Sequence, residues 1–170
     1  MEKLLWIDME MTGLDVEKEV IIEVAAVVTD LQLQELDRYH SVVKQPTEYL
    51  ATMDDWNQKH HKDSGLLDLI PSGKSPNLVE NDLLLILDTH FQNERVVLAG
   101  NSIGQDRLFI NKYLPQFASR LHYRMLDVTS YKIMFQNRFK ITYEKKNSHR
   151  AVDDILESIN ELNHYLSHIN

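Results

Sequence analysis

The sequence predicts an α/β fold in which helices pack on a mixed β-sheet, all within one domain spanning residues 1–170. Two observations carry this reading. Three strand-like runs follow one another early in the chain with only turns between them, and from residue 77 onward helical periodicity alternates with short apolar runs. A chain of 170 residues can bury a sizeable core. No internal repeat and no long linker divides it.

The elements follow in order. Residues 3–8, KLLWID, form a short apolar run and read as a buried strand. Met11 to Lys18 contain Gly13 among polar residues and read as a turn. Residues 20–29, VIIEVAAVVT, are rich in β-branched side chains and predict a central strand. Residues 32–43 give a third strand, with the turn around residues 30–34, so the first three strands make a hairpin or meander. Residues 46–76 are loop-rich, with short helical pieces near 53–61 and 64–70 and punctuation at Pro71, Gly73 and Pro76. Helical spacing returns from Asn77 to Phe91. Residues 96–100, VVLAG, are a short strand, and 106–113 a helix that Pro115 stops. Residues 125–128 are the last strand candidate, followed by a helix near 129–136. The final helix covers 151–166 on an apolar spine of Ile155, Ile159 and Leu162.

Composition narrows the function. There are no cysteines, which excludes disulfides, thiolate metal sites and a cysteine nucleophile and fits a cytoplasmic protein. No run of 18 apolar residues spans a membrane, and the first residues lack the zones of a signal peptide. The formal net charge is -8, from 18 Lys plus Arg against 26 Asp plus Glu. That balance disfavours a wide basic track for long nucleic acid while leaving room for a small nucleic-acid substrate.

The chemistry-bearing residues are Asp8 and Glu10 at the end of the first apolar run, Asp106 in AGNSIGQDRLF, and His149 and Asp154 in NSHRAVDDI. In a strand, residues i and i+2 share a face, so Asp8 and Glu10 aim together if the strand reaches Glu10. Four carboxylates converging on one point repel one another unless cations join them, which points to divalent metals and phosphoryl chemistry. His149, with an ordinary pKa of about 6.5, suits water deprotonation near neutrality. Each residue also has a plainer reading. Asp8 and Glu10 could be solvated at a strand end, Asp106 could be a helix N-terminal carboxylate, and His149 a capping or surface side chain. Asp153 and Asp154 are adjacent and cannot both face one site. The glycines at 100 and 104 do not make a phosphate loop, because the Lys-Ser/Thr ending is missing.

Six segments together resemble the oligoribonuclease family of the exonuclease superfamily that is defined by four acidic residues and a histidine. They are WIDMEMTGL (6–14), MDDWN (53–57), SGLLD (64–68), GNSIGQDR (100–107), HYRMLDV (122–128) and SHRAVDDI (148–155). The resemblance implies a ribonuclease H-like fold with a five-stranded mixed sheet flanked by helices. It implies that Asp8, Glu10, Asp106 and Asp154 hold two divalent cations, Mg²⁺ or Mn²⁺, and that His149 is the general base. It also implies cleavage of very short RNAs, especially dinucleotides, from the 3′ end to nucleoside 5′-monophosphates, and a homodimer. Leu14 then stands where the family wedges a base, and Trp56 where it packs near the bases. Ser102 and Thr129 match positions that contact the 5′ phosphate, and His122, Tyr123 and Arg124 match partner-subunit residues that close that end. The stretch NRFKITYEKKNSH, residues 137–149, departs from the family pattern in being shorter and more basic. Other readings of the same residues are a 3′–5′ exonuclease of longer chains, which needs an open groove with basic flanks, a non-catalytic sensor of short nucleotides, and a metal-dependent phosphatase.

Overall fold

The computed structural model describes residues 2–144 and 150–169. His149 lies outside the described residues.

Five strands form one mixed sheet in the order β3-β2-β1-β4-β5. They are β1 (Lys3–Met11), β2 (Ile21–Asp30), β3 (Glu35–Val42), β4 (Val96–Gly100) and β5 (Leu121–Asp127). β1, β2 and β3 pair antiparallel, whereas β4 joins β1 in parallel and β5 joins β4 in parallel. Eight helices surround the sheet among the described residues: α1 (Thr47–Ala51), α2 (Asp55–Asp63), α3 (Leu66–Leu69), α4 (Pro76–His90), α5 (Ile103–Tyr113), α6 (Pro115–Arg120), α7 (Val128–Met134) and α8 (Ala151–Leu166).

β1 is covered on both faces, which explains its unbroken apolar run. Leu5, Ile7, Met9 and Met11 point into the core built with Leu83 and Leu87 of α4, Phe109 and Ile110 of α5, and Phe117 of α6. Leu4 and Trp6 point the other way, toward Ala151, Ile155, Ile159 and Leu162 of α8. The indole N–H of Trp6 donates to the Thr29 hydroxyl at 2.9 Å, so its burial leaves no polar atom unpaired. Alternation then carries Asp8 and Glu10 along the α8-facing row.

Several boundaries differ from the expectation. β1 runs on to Met11, past the expected end at Asp8, because Thr12 and Val20 close the hairpin: Thr12 N–H donates to the Val20 carbonyl and Val20 N–H to the Thr12 hydroxyl, both at 3.0 Å. The strand therefore reaches Glu10, with a register shift between Glu10 and Met11. β3 begins at Glu35, since Leu33 adopts φ 64° and the Asp30 carboxylate accepts from the N–H groups of Gln32 and Gln34. α1 was not expected. α5 starts at Ile103, three residues before Asp106. Pro115 ends that helix but also opens α6, whose first N–H groups, of Gln116 and Phe117, donate to the buried Glu80 carboxylate at 2.7 and 3.1 Å. β5 begins at Leu121, so His122, Tyr123 and Arg124 sit on a strand.

Gly100 is required where β4 turns into α5. A Cβ there would lie 2.9 Å from the Ile7 carbonyl oxygen and 3.1 Å from Ile103 Cδ1. Gly100→Ala is expected to destabilise the protein by about 1–3 kcal/mol through this overpacking, measurable by urea denaturation.

Candidate active site

The two carboxylates of β1 meet α8 because β1, β2 and α8 pack in one apolar cluster. Oxygens of Asp8, Glu10 and Asp154 lie within 4.8 Å of one another. Asp154 stands in the first turn of α8, and the buried Ala151 and Ile155 seat that turn on β1 and β2. Asp106 stands outside that group of three but close enough for its charge to raise Glu10. It is buried in the first turn of α5.

The electrostatics suit cation binding. Burial, and then the negative charges of Glu23, Asp154 and Asp106, push the Glu10 pKa up to about 8, against the opposing pull of Arg150. Burial likewise raises Asp106 to about 7, although backbone N–H groups of Asp106 and Met9 favour its ionised form. Such a cluster fits divalent cations, which reverse the repulsion and draw the carboxylates into their ionised state.

A second layer braces the first. Glu23 faces Glu10 across β1 and β2 and is fully buried. It accepts from Arg150 Nη2 at 2.7 Å and Nε at 3.1 Å, and His40 Nε2 lies 2.6 Å from the same oxygen. Burial raises the Glu23 pKa, but the hydrogen bonds from His40 and Arg150 outweigh it and hold the group below its ordinary value. Arg150 follows His149 directly and precedes α8, so this pair ties the start of the helix to β2. Glu23 is buried but Arg150 and His40 keep about a third of their side chains in solvent, so neither is left as a buried unpaired charge when Glu23 is changed. Glu23→Gln is expected to lower stability by about 1.5–3 kcal/mol in chemical denaturation, through the weakened charge-assisted hydrogen bonds.

The residues that the resemblance places beside the substrate fall into three groups. Leu14, Trp56 and Tyr123 are 75%, 68% and 76% exposed, which excludes a role in the core of this chain. The loop carrying Leu14 is gripped by α5, since Gln105 Nε2 donates to the Leu14 carbonyl at 2.7 Å and Lys112 Nζ to the Val16 carbonyl at 2.7 Å. Trp56 stacks on His60 with centroids 4.8 Å apart and planes 10° from parallel.

Ser102 and Thr129 come together. Their hydroxyl oxygens are 3.2 Å apart, and Ser102 N–H donates to Thr129 Oγ1 and Asp127 Oδ1 at 2.9 and 3.0 Å. Ser102 holds a left-handed backbone, φ 51°, to make these bonds. They border an open cleft of about 350 Å³ that Lys132 and Asn137 also line. Asn101 anchors the cleft to α8 through Ser158 Oγ at 2.8 Å and Glu161 Oε2 at 3.1 Å.

His122 and Tyr123 do not join that cleft within the chain. They stack on each other at 4.6 Å and line a separate depression with Arg95 and Arg107, while the Arg124 guanidinium lies 5.3 Å from the Tyr123 ring centre.

Sequence reasoning passed over Glu23, Arg150, His60 and His61. The signal for Glu23 was visible, as a lone carboxylate in the middle of VIIEVAAVV. The histidines gave none, because only the fold brings α2 against the end of β1.

Comparison with known proteins shows the family. Residues 5–162 match the exonuclease family RNase_T. The chain is 40% identical over 174 residues to the mitochondrial oligoribonuclease of Homo sapiens, covering 99% of this chain and 73% of that one. It is 41% identical over 170 residues to the oligoribonuclease of Ectopseudomonas mendocina, covering 97% and 94%. Among solved structures, exonuclease I of Methylocaldum szegediense superposes with a TM-score of 0.74 at 14% identity, over 100% of this chain and 41% of that one. Escherichia coli exonuclease I bound to an oligonucleotide gives 0.77 at 11% identity, over 99% and 41%. The chain thus spans about two-fifths of those structures, and they support the ribonuclease H-like fold alone. With near-complete coverage at about 40% identity, the chain belongs to the oligoribonuclease family of exonucleases and is a nuclease.

Proposed function

We propose that this protein hydrolyses very short RNAs, above all dinucleotides, from the 3′ end and releases nucleoside 5′-monophosphates. The observation that carries the reading is the convergence of Asp8, Glu10 and Asp154 within 4.8 Å beside the buried Asp106. When bound there, two divalent cations, Mg²⁺ or Mn²⁺, supply positive charge that favours the ionised forms of the attacking water and the leaving 3′ oxygen. The four carboxylates hold those cations. His149 takes the proton of the attacking water on an imidazole nitrogen. A bond forms between that water's oxygen and phosphorus, and the bond from phosphorus to the 3′ oxygen breaks.

Length selection follows from closing the 5′ end. Ser102 and Thr129 offer hydroxyls to a 5′ phosphate, and Arg124 supplies a charge-assisted bond from the second subunit of a homodimer. Leu14 and Trp56 give the bases an apolar surface without strong discrimination. Tyr123 and Met125 on β5, and Ile133, Met134 and Phe139 on and after α7, are exposed apolar side chains that a partner subunit would cover.

Competition between two-nucleotide and 20-nucleotide RNAs at matched concentration tests the reading. Preferential release of monophosphate from the dinucleotide is expected, and preferential trimming of the long RNA would overturn the length selection while keeping the nuclease. The shared cap has its own test. Asp154→Asn and Arg124→Ala chains, each poorly active alone, are expected to regain about a quarter of wild-type turnover when reassorted at random in equal amounts, because about half of the dimers are then mixed and each mixed dimer has one intact site. Failure to complement, with mixed dimers shown by mass, would place Arg124 in its own subunit's site.

Ser102→Gly provides a third check. It removes the left-handed strain at that residue, so the melting temperature should hold or rise, while loss of the hydroxyl raises KM for 5′-phosphorylated dinucleotide about tenfold.

A further inference from the structure

We infer that Glu10, His60 and His61 form a second metal site, selective for Zn²⁺ over Mg²⁺, that shares one carboxylate with the catalytic cluster. One ligand atom from each of the three residues lies within 4.8 Å of the others. The His61 ring is buried, and its orientation is fixed. Nε2 lies 3.0 Å from the Met11 carbonyl, which only accepts, so Nε2 carries the proton and donates. Nδ1 is left with its lone pair, and it is buried without a hydrogen-bond partner.

That lone pair faces Glu10 Oε2 at 4.0 Å. Two acceptors facing each other across this distance repel when Glu10 is ionised. An ion between them would draw the two atoms together by about half an ångström, because ligand atoms about 2.0–2.2 Å from a tetrahedral Zn²⁺ stand about 3.4 Å apart. The carbonyl behind His61 supplies the orienting hydrogen bond that metal-bound histidines carry on their other nitrogen. Two imidazoles and one carboxylate match a borderline-soft cation, whereas Mg²⁺ prefers oxygen ligands and water.

His60 links this site to Trp56, whose ring stacks on it. Zn²⁺ binding therefore holds Trp56 in place and alters its emission. Because Glu10 serves both centres, Zn²⁺ also withdraws that carboxylate from Asp8 and Asp154 and inhibits Mn²⁺-supported turnover. The inhibition rests on the nuclease reading; the binding does not.

The test is a Zn²⁺ titration of the Mg²⁺-free protein, followed by calorimetry and by tryptophan fluorescence, for the wild type, His60→Ala and Asp154→Asn. His60 is partly exposed, and circular dichroism confirms that the variant folds. Expected are one Zn²⁺ bound through this site, affinity weakened about tenfold or more by His60→Ala, and affinity retained in Asp154→Asn. Loss in Asp154→Asn with retention in His60→Ala would place the ion in the carboxylate cluster and overturn the proposal. Equal affinity in all three proteins, equal loss in both variants, or no binding to the wild type would overturn it too.

Discussion

Asp154→Asn is expected to lower dinucleotide turnover by about 10³-fold or more while leaving the protein folded. The substitution preserves shape and removes one charge. Asp154 lies on a turn seated by Ala151 and Ile155, and neither contact involves its carboxylate. Asp154 is also one of the negative groups whose repulsion raises Glu10, so removing its charge relieves that repulsion in the metal-free fold. Two readouts should move in opposite directions. Turnover collapses, and the melting temperature in EDTA stays level or rises. The stabilisation that Mn²⁺ gives the wild type shrinks as well. Wild-type turnover in Asp154→Asn, purified free of other nucleases and compared with Asp106→Ala, would remove Asp154 from the chemistry.

The second large effect is on stability against pH. Glu10 ionises at about 8 in the folded protein without metal and Asp106 at about 7, against ordinary values of 4.5 and 3.8. Between the ordinary and the raised value the folded chain binds more protons than the unfolded chain, so stability falls as pH rises. In EDTA the protein is expected to lose up to about 1.4 kcal/mol per pH unit for each group while that group is in its window. The window runs from pH 4.5 to 8 for Glu10 and from 3.8 to 7 for Asp106. Glu23 acts in the opposite sense, since its pKa is lowered, and withdraws stability only at more acidic pH. Saturating Mg²⁺ or Mn²⁺ should flatten the decline, because bound cations favour the ionised carboxylates. Chemical denaturation at pH 5 and pH 8, with and without metal, measures all four values. A metal-free protein that is equally stable at both pH values would contradict the repulsion.

Much of this was legible because periodicity and chemistry coincide. The run Leu4 to Ile7 betrayed a strand covered on both faces, and the i, i+2 spacing of Asp8 and Glu10 placed both on one of them. The spine Ile155, Ile159 and Leu162 located the last helix with its observed bounds. What escaped was set by contacts between distant residues. The extension of β1 to Met11 depends on bonds between Thr12 and Val20, which no local propensity reports. The helix after Pro115 depends on a carboxylate from α4, Glu80. Choosing Asp154 over Asp153 needed the family resemblance in addition to helical phase, and in the fold Asp154 is the one that meets Asp8 and Glu10.

The meeting of β1 with α8 has a consequence for biosynthesis. Asp8 and Asp154 are 146 positions apart in the sequence, and Arg150 reaches back 127 positions to clasp Glu23. The growing chain makes the strand bearing two of its acids early and then carries them incomplete until α8 clears the ribosome and docks. On the proposed assignment, a nascent fragment that lacks Asp154 lacks one of the four carboxylates and is expected not to cut RNA. Activity would then report that α8 has been made and has docked, and a chain truncated before Asp154 is expected to be inert instead of a weakened nuclease.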